Sequence, residues 1–185
     1  MLEYWYAVQV FAGKEQKALE QIMESKITAE VFLPKRVMML KKAGSFKRQV
    51  KPLFNGYLFL KYSQPLEKIT AQDWIKSLQK DRLQPIVFNI LDRVDTLNNQ
   101  NQMVQSISSE EIQWIFDLTN KNNEIEISRY LKVGSQVQIV SGPMKGQEAK
   151  IKKVDPHKKR IKVEIFFLGR SHVIDLAGEM VQGKI

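Results

Sequence analysis

The chain has 185 residues, 43% of them hydrophobic and 26% charged, with 29 Lys/Arg against 20 Asp/Glu, a net charge of +9 and a pI near 9.6. That length supports one ordinary domain or two small ones with separate cores, and the charge selects polyanions over other basic surfaces as long-range partners. The absence of cysteine excludes disulfides, thiolate metal sites and thiol nucleophiles. It also fits a reducing compartment, and with no window near the ~18 apolar residues of a membrane span, a cytoplasmic chain without a membrane partner is expected.

Residues 4–11 are rich in aromatic and β-branched side chains and predict a buried strand ended by Ala12-Gly13. Residues 14–25 place Ala18, Leu19, Ile22 and Met23 on one helical face. Residues 29–40 and 50–62 predict two strands around a hairpin whose tip, residues 41–45, is basic. Residues 70–80, with Trp74, Ile75 and Leu78, predict a second amphipathic helix, and residues 85–91 an apolar strand. The order β, α, β, β, α, β implies an α+β fold, an antiparallel sheet with helices on one face.

Residues 92–106 are polar and predict a loop. Ser108 and Glu111 have the spacing of a capping box ahead of a helix carrying Ile112, Trp114, Ile115, Phe116 and Leu118. A first domain over residues 1–118, a linker over 119–128 and a second domain over 129–185 are therefore expected. In the second part, turn signals recur at Gly134, at Gly142-Pro143-Met144-Lys145-Gly146, at Asp155-Pro156 and at Gly169. They space short alternating strands, as in a small closed barrel of about five strands. Gly142 and Gly146 suit positive φ and Pro143 fixes its own φ, so this turn displays backbone and a lysine rather than a catalytic group.

The charge is uneven. Residues 132–184 hold 11 Lys/Arg against 5 acids, an excess of six, whereas residues 1–131 carry an excess of three. Within the first part, Lys35, Arg36, Lys41, Lys42, Lys47, Arg48 and Lys51 occur without an intervening acid. Two basic patches follow, one in each half. Some of this charge is the outer face of strands, as the alternation of Lys150, Lys152, Lys162 and Glu164 with apolar neighbours implies. His157-Lys158-Lys159-Arg160 is different, because it follows a turn initiator and sits at a hairpin tip where pairing does not require charge.

Three stretches carry a resemblance. Trp5-Tyr6-Ala7-Val8-Gln9-Val10-Phe11 with Gly13 and Glu15, then Phe32-Leu33-Pro34, then Pro52-Leu53-Phe54-Asn55-Gly56-Tyr57-Leu58-Phe59-Leu60 resemble the N-terminal domain of the NusG family. Residues 133–155 resemble its C-terminal KOW motif, a small SH3-like barrel. The approach Glu-Ile-Glu-Ile-Ser, the Asp155 to Arg160 turn and the run from Glu164 to Arg170 are similar to specialised paralogues of the LoaP antiterminator group. Two positions depart from the family pattern. Asn55 stands where proline is usual, and Ala149 stands where the motif usually has its last glycine, which implies that position 149 needs no positive φ here.

The resemblance implies a transcription elongation factor acting as a processive antiterminator. Its N-terminal domain would receive the clamp helices of RNA polymerase in an apolar depression, formed or supported by Trp5, Tyr6, Phe11, Phe54 and Tyr57. For Trp5 and Tyr6 ordinary core is the competing reading, and Phe54 and Tyr57, flanking a glycine, are the favoured contacts. Lys35, Arg36, Lys41, Lys42, Lys47 and Arg48 would touch upstream or non-template DNA through phosphates. Lys145, Lys150, Lys152, Lys153, His157, Lys158, Lys159, Arg160, Arg170 and His172 would contact a nascent RNA hairpin, read by shape. Bridging the polymerase cleft would shift populations away from paused conformations without chemistry. No cofactor or metal is expected, and a monomer is. Housekeeping relatives use the KOW domain for a ribosomal protein or Rho, an alternative left open, as is a ribosome-associated RNA-binding module. Catalysis is disfavoured: the imidazoles are His157 and His172, and Asp73, Asp81, Asp92 and Asp95 are scattered.

Overall fold

The computed structural model describes residues 3–25, 29–79, 86–91 and 103–182. Its strands in chain order are β1 (Tyr4–Val10), β2 (Glu30–Phe32), β3 (Lys35–Lys42), β4 (Ser45–Pro52), β5 (Tyr57–Tyr62), β6 (Val87–Ile90), β7 (Glu124–Ile125), β8 (Ser128–Val133), β9 (Gln136–Ser141), β10 (Ile151–Asp155), β11 (Arg160–Phe167) and β12 (Arg170–Met180). The helices are α1 (Glu15–Glu24), α2 (Lys68–Gln79) and α3 (Ser109–Leu118). None of the described helices is long and apolar enough to cross a membrane. Asp81 and Asp92, Asp95 and most of the predicted 92–106 loop lie outside the described residues.

Two compact units result, one of Met1–Leu33 with Phe54–Ile112, the other of Pro34–Leu53 with Gln113–Ile185. The first is an antiparallel sheet in the order β2-β5-β1-β6. Alternation along β1 puts Tyr6, Val8 and Val10 on one face, where they join Leu58 and Leu60 of β5, Ala18 and Ile22 of α1, and Trp74, Ile75 and Leu78 of α2 in one cluster. The opposite face buries Trp5, Ala7, Phe32 and Phe59. With β3 and β4 set aside, the element order is the expected βαββαβ. The capping box forms as the spacing predicts: Glu111 N–H donates to Ser108 Oγ and Ser108 N–H to Glu111 Oε2, each at 3.2 Å.

The two strands expected over residues 29–40 and 50–62 are four. Proline has no N–H for the ladder, and Pro34 and Pro52 stand where β2 gives way to β3 and where β4 ends before β5. Leu53 N–H closes the base on Pro34 O at 2.8 Å. Between them β3 and β4 form a hairpin in register Lys35↔Pro52 to Lys42↔Ser45, turned by Ala43 (φ 49°) and Gly44 (φ 82°). Two positive φ values in a two-residue loop match the strand twist.

This hairpin belongs to the second unit, so the units do not follow the expected division of the chain at residues 118 and 129. The segment expected to be a linker supplies the reason. Asn120 Oδ1 accepts from Asn122 N–H (2.8 Å) and Glu124 N–H (3.1 Å), and the chain then runs as β7 parallel to β3, with Ile125 buried. The remaining five strands make a sheet in the order β10-β11-β12-β8-β9, the size expected for the second domain, with β12 and β8 parallel and the other pairs antiparallel. Strict alternation along β11 buries Ile161, Val163, Ile165 and Phe167 and exposes Lys162 and Phe166.

Gly142 (φ 98°) and Gly146 (φ 80°) hold the expected left-handed conformations, and Ala149 has none. The Gly142 turn is also sterically confined, since a Cβ there would lie 2.6 Å from Ile127 O.

Candidate functional site

In the first unit, the corner between β1 and α1 meets the turn before β5. Gly56 adopts φ 80°, and its carbonyl accepts from Val10 N–H at 2.8 Å. A Cβ at Gly56 would sit 3.1 Å from Val10 O, so glycine permits this approach. The Glu15 side chain fixes the junction: it is 3% exposed, and Oε1 accepts from Gly56 N–H at 2.7 Å and Gly13 N–H at 3.0 Å. Asn55, where the family usually has proline, is exposed beside Gly56 in this turn.

Around that junction are the aromatic candidates. Phe11 is 47% exposed, while Phe54 and Tyr57 are half-buried. The Phe54 ring meets Phe59 edge-on at 6.0 Å, which anchors one side of it and leaves part in solvent. Trp5 and Tyr6 are core, at 5% and 1% exposed, which leaves them a supporting role beneath such a surface rather than direct contact. The Trp5 ring packs edge-on against Phe32 at 6.0 Å, and Tyr6 Oη accepts from Leu66 N–H at 2.8 Å on the helical side of the sheet. Strand alternation sends the two rings to opposite faces, and both faces are covered.

The basic set of residues 35–51 splits in two. Arg36 is not a free cation: its Nη1 donates to Asp175 O at 2.7 Å, and burial pushes the guanidinium below its usual pKa, opposed by the nearby Asp175. Arg48 pairs with Glu124 (2.8 Å) and Glu126 (2.9 Å) and so ties β4 to the β7 segment. Lys35 and Lys51 are half-buried at the hairpin base, whereas Lys41, Lys42 and Lys47 are exposed near its tip.

The second-half set splits similarly. His157 and Lys158 are exposed on the β10–β11 turn, with Lys158 N–H donating to Asp155 Oδ1 at 3.0 Å. Lys159 bonds Glu179 at 2.8 Å and lies 5.2 Å from the Phe46 ring centroid, and Arg160 pairs with Asp175 at 3.2 Å. Lys150 covers the Trp114 ring at 4.9 Å, Lys152 pairs with Glu164, and His172 Nε2 lies 3.1 Å from Phe167 O. Lys145, Lys153 and Arg170 are exposed. Lys152 and Lys153 line an open groove of ≈ 530 Å³ with Lys132, Gln136 and Val154. Arg170 and Lys158 mark opposite ends of β11, about 24 Å apart at strand rise, so the ten residues do not form one patch.

The sequence reading named Glu15 only as a position of the resemblance, without a role, and missed Phe46 and the exposed pair Phe166 and Val173. A glutamate two residues after a glycine that ends a strand was the available signal for Glu15. Alternation along β11 was the signal for Phe166.

A family model described as "Transcription termination factor nusG" matches residues 3–116, and a KOW motif model matches residues 133–164. The chain belongs to the NusG family. Its relatives include proteins named "Transcription termination/antitermination protein NusG" from Staphylococcus aureus, 25% identical over 96% of this chain and 94% of the relative, and Helicobacter pylori, 22% identical over 96% and 97%. The Buchnera aphidicola protein of the same name is 21% identical over 96% and 94%. A solved structure described as "Domain interaction in Thermotoga maritima NusG" aligns at 20% identity and TM-score 0.46, over 96% of this chain and 94% of that one. The protein is thus a NusG-type transcription termination/antitermination factor. The junction of Phe54, Gly56 and Tyr57 lies inside the N-terminal match, and the turns at Gly142 and Lys158 lie inside the KOW match.

Proposed function

We propose that this NusG-family chain is a processive antiterminator. The first unit grips RNA polymerase through Phe11, Phe54 and Tyr57, and the second holds structured nascent RNA. The observation that carries the reading is the Glu15-clamped junction, which leaves three aromatic side chains partly in solvent where a soluble domain gains nothing from exposing them. Trp5 and Tyr6 support that surface from within the core. Binding across the polymerase cleft disfavours paused states, so the free energy of association becomes a population shift. Similarity to the LoaP group supports the antitermination role over general elongation control, and Lys41, Lys42 and Lys47 remain for nucleic-acid phosphates.

The test is retention of core RNA polymerase by the immobilised chain, followed by an in vitro termination assay with and without a leader stem-loop RNA. Phe54→Ala with Tyr57→Ala should abolish retention while the far-UV spectrum is unchanged, and readthrough should require the leader. Unaltered retention by the double variant would sink the contact assignment, and leader-independent readthrough would sink the RNA-dependent role. A second reading has its own observation: Phe166 (64% exposed) and Val173 (58%) are diagonal neighbours on adjacent strands and suit a protein partner of the second unit, such as a ribosomal protein or Rho. Phe166→Ala affecting termination with no change in RNA binding favours it.

A further inference from the structure

The two basic patches expected from the sequence, one per half, meet in the second unit. Phe46 is the cross-strand partner of Lys41 and the sequence neighbour of Lys47 on the β3–β4 hairpin. Its ring lies 5.2 Å from Lys159 Nζ at the β10–β11 turn. The contact therefore sets one hairpin tip beside the other, although they are over 100 residues apart in sequence. Backbone and side-chain contacts hold the arrangement: Gly178 N–H donates to Lys159 O at 3.0 Å, Arg36 Nη1 to Asp175 O, and Arg48 bridges Glu124 and Glu126.

The fixing residues and the exposed ones are different side chains. Lys159 is used up by Glu179 and Phe46, and Glu179 also faces Arg129 at 3.7 Å, while Asp155 lies 4.0 Å from Lys158. Lys41, Lys42, Lys47 and Lys158 are exposed at the paired tips, Lys41 on the Phe46 side of the ribbon by register and Lys42 and Lys47 on the other, and they outnumber the two carboxylates, Glu179 and Asp155, of the seam.

We propose that Lys41, Lys42 and Lys47 of the β3–β4 hairpin and Lys158 of the β10–β11 turn form a single surface that binds the phosphates of one RNA helix. The hairpin is thereby reassigned from upstream DNA to the RNA ligand. This rests on the reading of the second unit as an RNA binder and extends it to residues outside the KOW match. The chemistry of the seam favours an RNA helix over sequence-read DNA. Its free cations are lysines acting as point charges, with no free Arg fork at the tips for base edges in a B-form major groove, and a helix recognised by shape and backbone requires no such fork.

The probe is an RNA stem-loop of about 16 base pairs, with a DNA duplex of the same sequence as comparator, titrated against the full chain at several salt concentrations. Lys41→Ala with Lys42→Ala and Lys47→Ala is expected to weaken stem-loop binding about tenfold near physiological salt and to reduce the log–log salt slope by about 2 to 3. Phe46→Ala, which unlocks the tips without removing charge, should weaken binding with little change in slope. If Lys158→Ala weakens RNA binding while the triple variant leaves it unchanged, the composite surface is overturned and the RNA reading stands. If the triple variant weakens only the DNA duplex, the hairpin is a DNA contact and the proposal fails. Absence of stem-loop binding by the unsubstituted chain overturns both readings.

Discussion

Glu15→Ala removes the acceptor that holds two glycine N–H groups at the junction of β1, α1 and the turn before β5, and its cost can be worked from the geometry. Gly56 N–H (2.7 Å), in a buried residue, and Gly13 N–H (3.0 Å), in an exposed one, both lose an acceptor. Hydrogen bonds to an ionised group contribute about 1.5–3 kcal/mol each, and a stranded buried donor costs about 1–3 kcal/mol. Against this, removing a carboxylate that is 3% exposed returns part of its own desolvation cost. The net destabilisation is about 2–3 kcal/mol. Glu15→Gln retains one oxygen for the two donors and loses only the ionic part, about 1 kcal/mol. Urea unfolding followed by tryptophan fluorescence, with Trp5 and Trp74 in this unit, should place the midpoint of the Ala variant about 1 M below that of the unsubstituted chain, with Gln in between. Amide exchange at Gly56 should accelerate in the same order. A Glu15→Ala variant within about 0.5 kcal/mol of the parent, with Gly56 still protected, would show that the carboxylate does not hold the turn.

Two further outcomes test the second unit and the cores. Gly142→Ala and Gly146→Ala both impose a side chain on positive φ, but the added Cβ meets Ile127 O and Ser128 Cα at 2.6 Å in the first case and nothing within 4 Å in the second. Gly146→Ala should cost about 1–2 kcal/mol and Gly142→Ala more than about 4, read by thermal melting, and equal costs would refute the steric account. Burial raises the Tyr6, Tyr62 and Tyr130 phenols above 10, so the native state keeps protons that the unfolded chain has released. Their contribution to stability is complete below pH 10 and disappears as pH rises through the folded values. Part of the phenolate absorbance should therefore appear together with loss of circular dichroism; all five tyrosines titrating in a chain that keeps its native spectrum would contradict it.

What was legible in the sequence is what short-range chemistry decides. The Ser108/Glu111 box spans three residues, the α1 and α2 faces are set by helical period, and the left-handed positions at Gly142 and Gly146 are set by the lack of a Cβ. The order of elements in the first sheet follows from these and from alternation. The failures lie at long sequence separation. Arg36 finds Asp175 and Arg48 finds Glu124 and Glu126, separations of 139, 76 and 78 residues, so a run of seven basic side chains reads as a free patch although two of them are spent internally.

The hairpin shows how a local signal acquires meaning only from its partner. Pro34 and Pro52 announce where pairing within the first sheet must stop, and Ala43-Gly44 announces a two-residue turn, but neither says which surface the released hairpin will join. That choice is made by β7 together with β12, to which Arg36 of β3 is tied. The alternation Glu124-Ile125-Glu126 has the form of a strand in a stretch otherwise polar enough to pass for a linker, and it offers a buried isoleucine to the sheet and two carboxylates to Arg48. Removing those carboxylates in Glu124→Gln with Glu126→Gln therefore strips the ionic tie while leaving the β3–β7 register, and an exposed pair of this kind contributes only about 1 kcal/mol at most. The hairpin should stay docked through the β3–β7 pairing, the Arg36–Asp175 bond and the Phe46–Lys159 contact, with stem-loop affinity slightly raised by the lost negative charge; a large fall in affinity would mean that the Arg48 ion pairs, rather than these contacts, hold the cations in place.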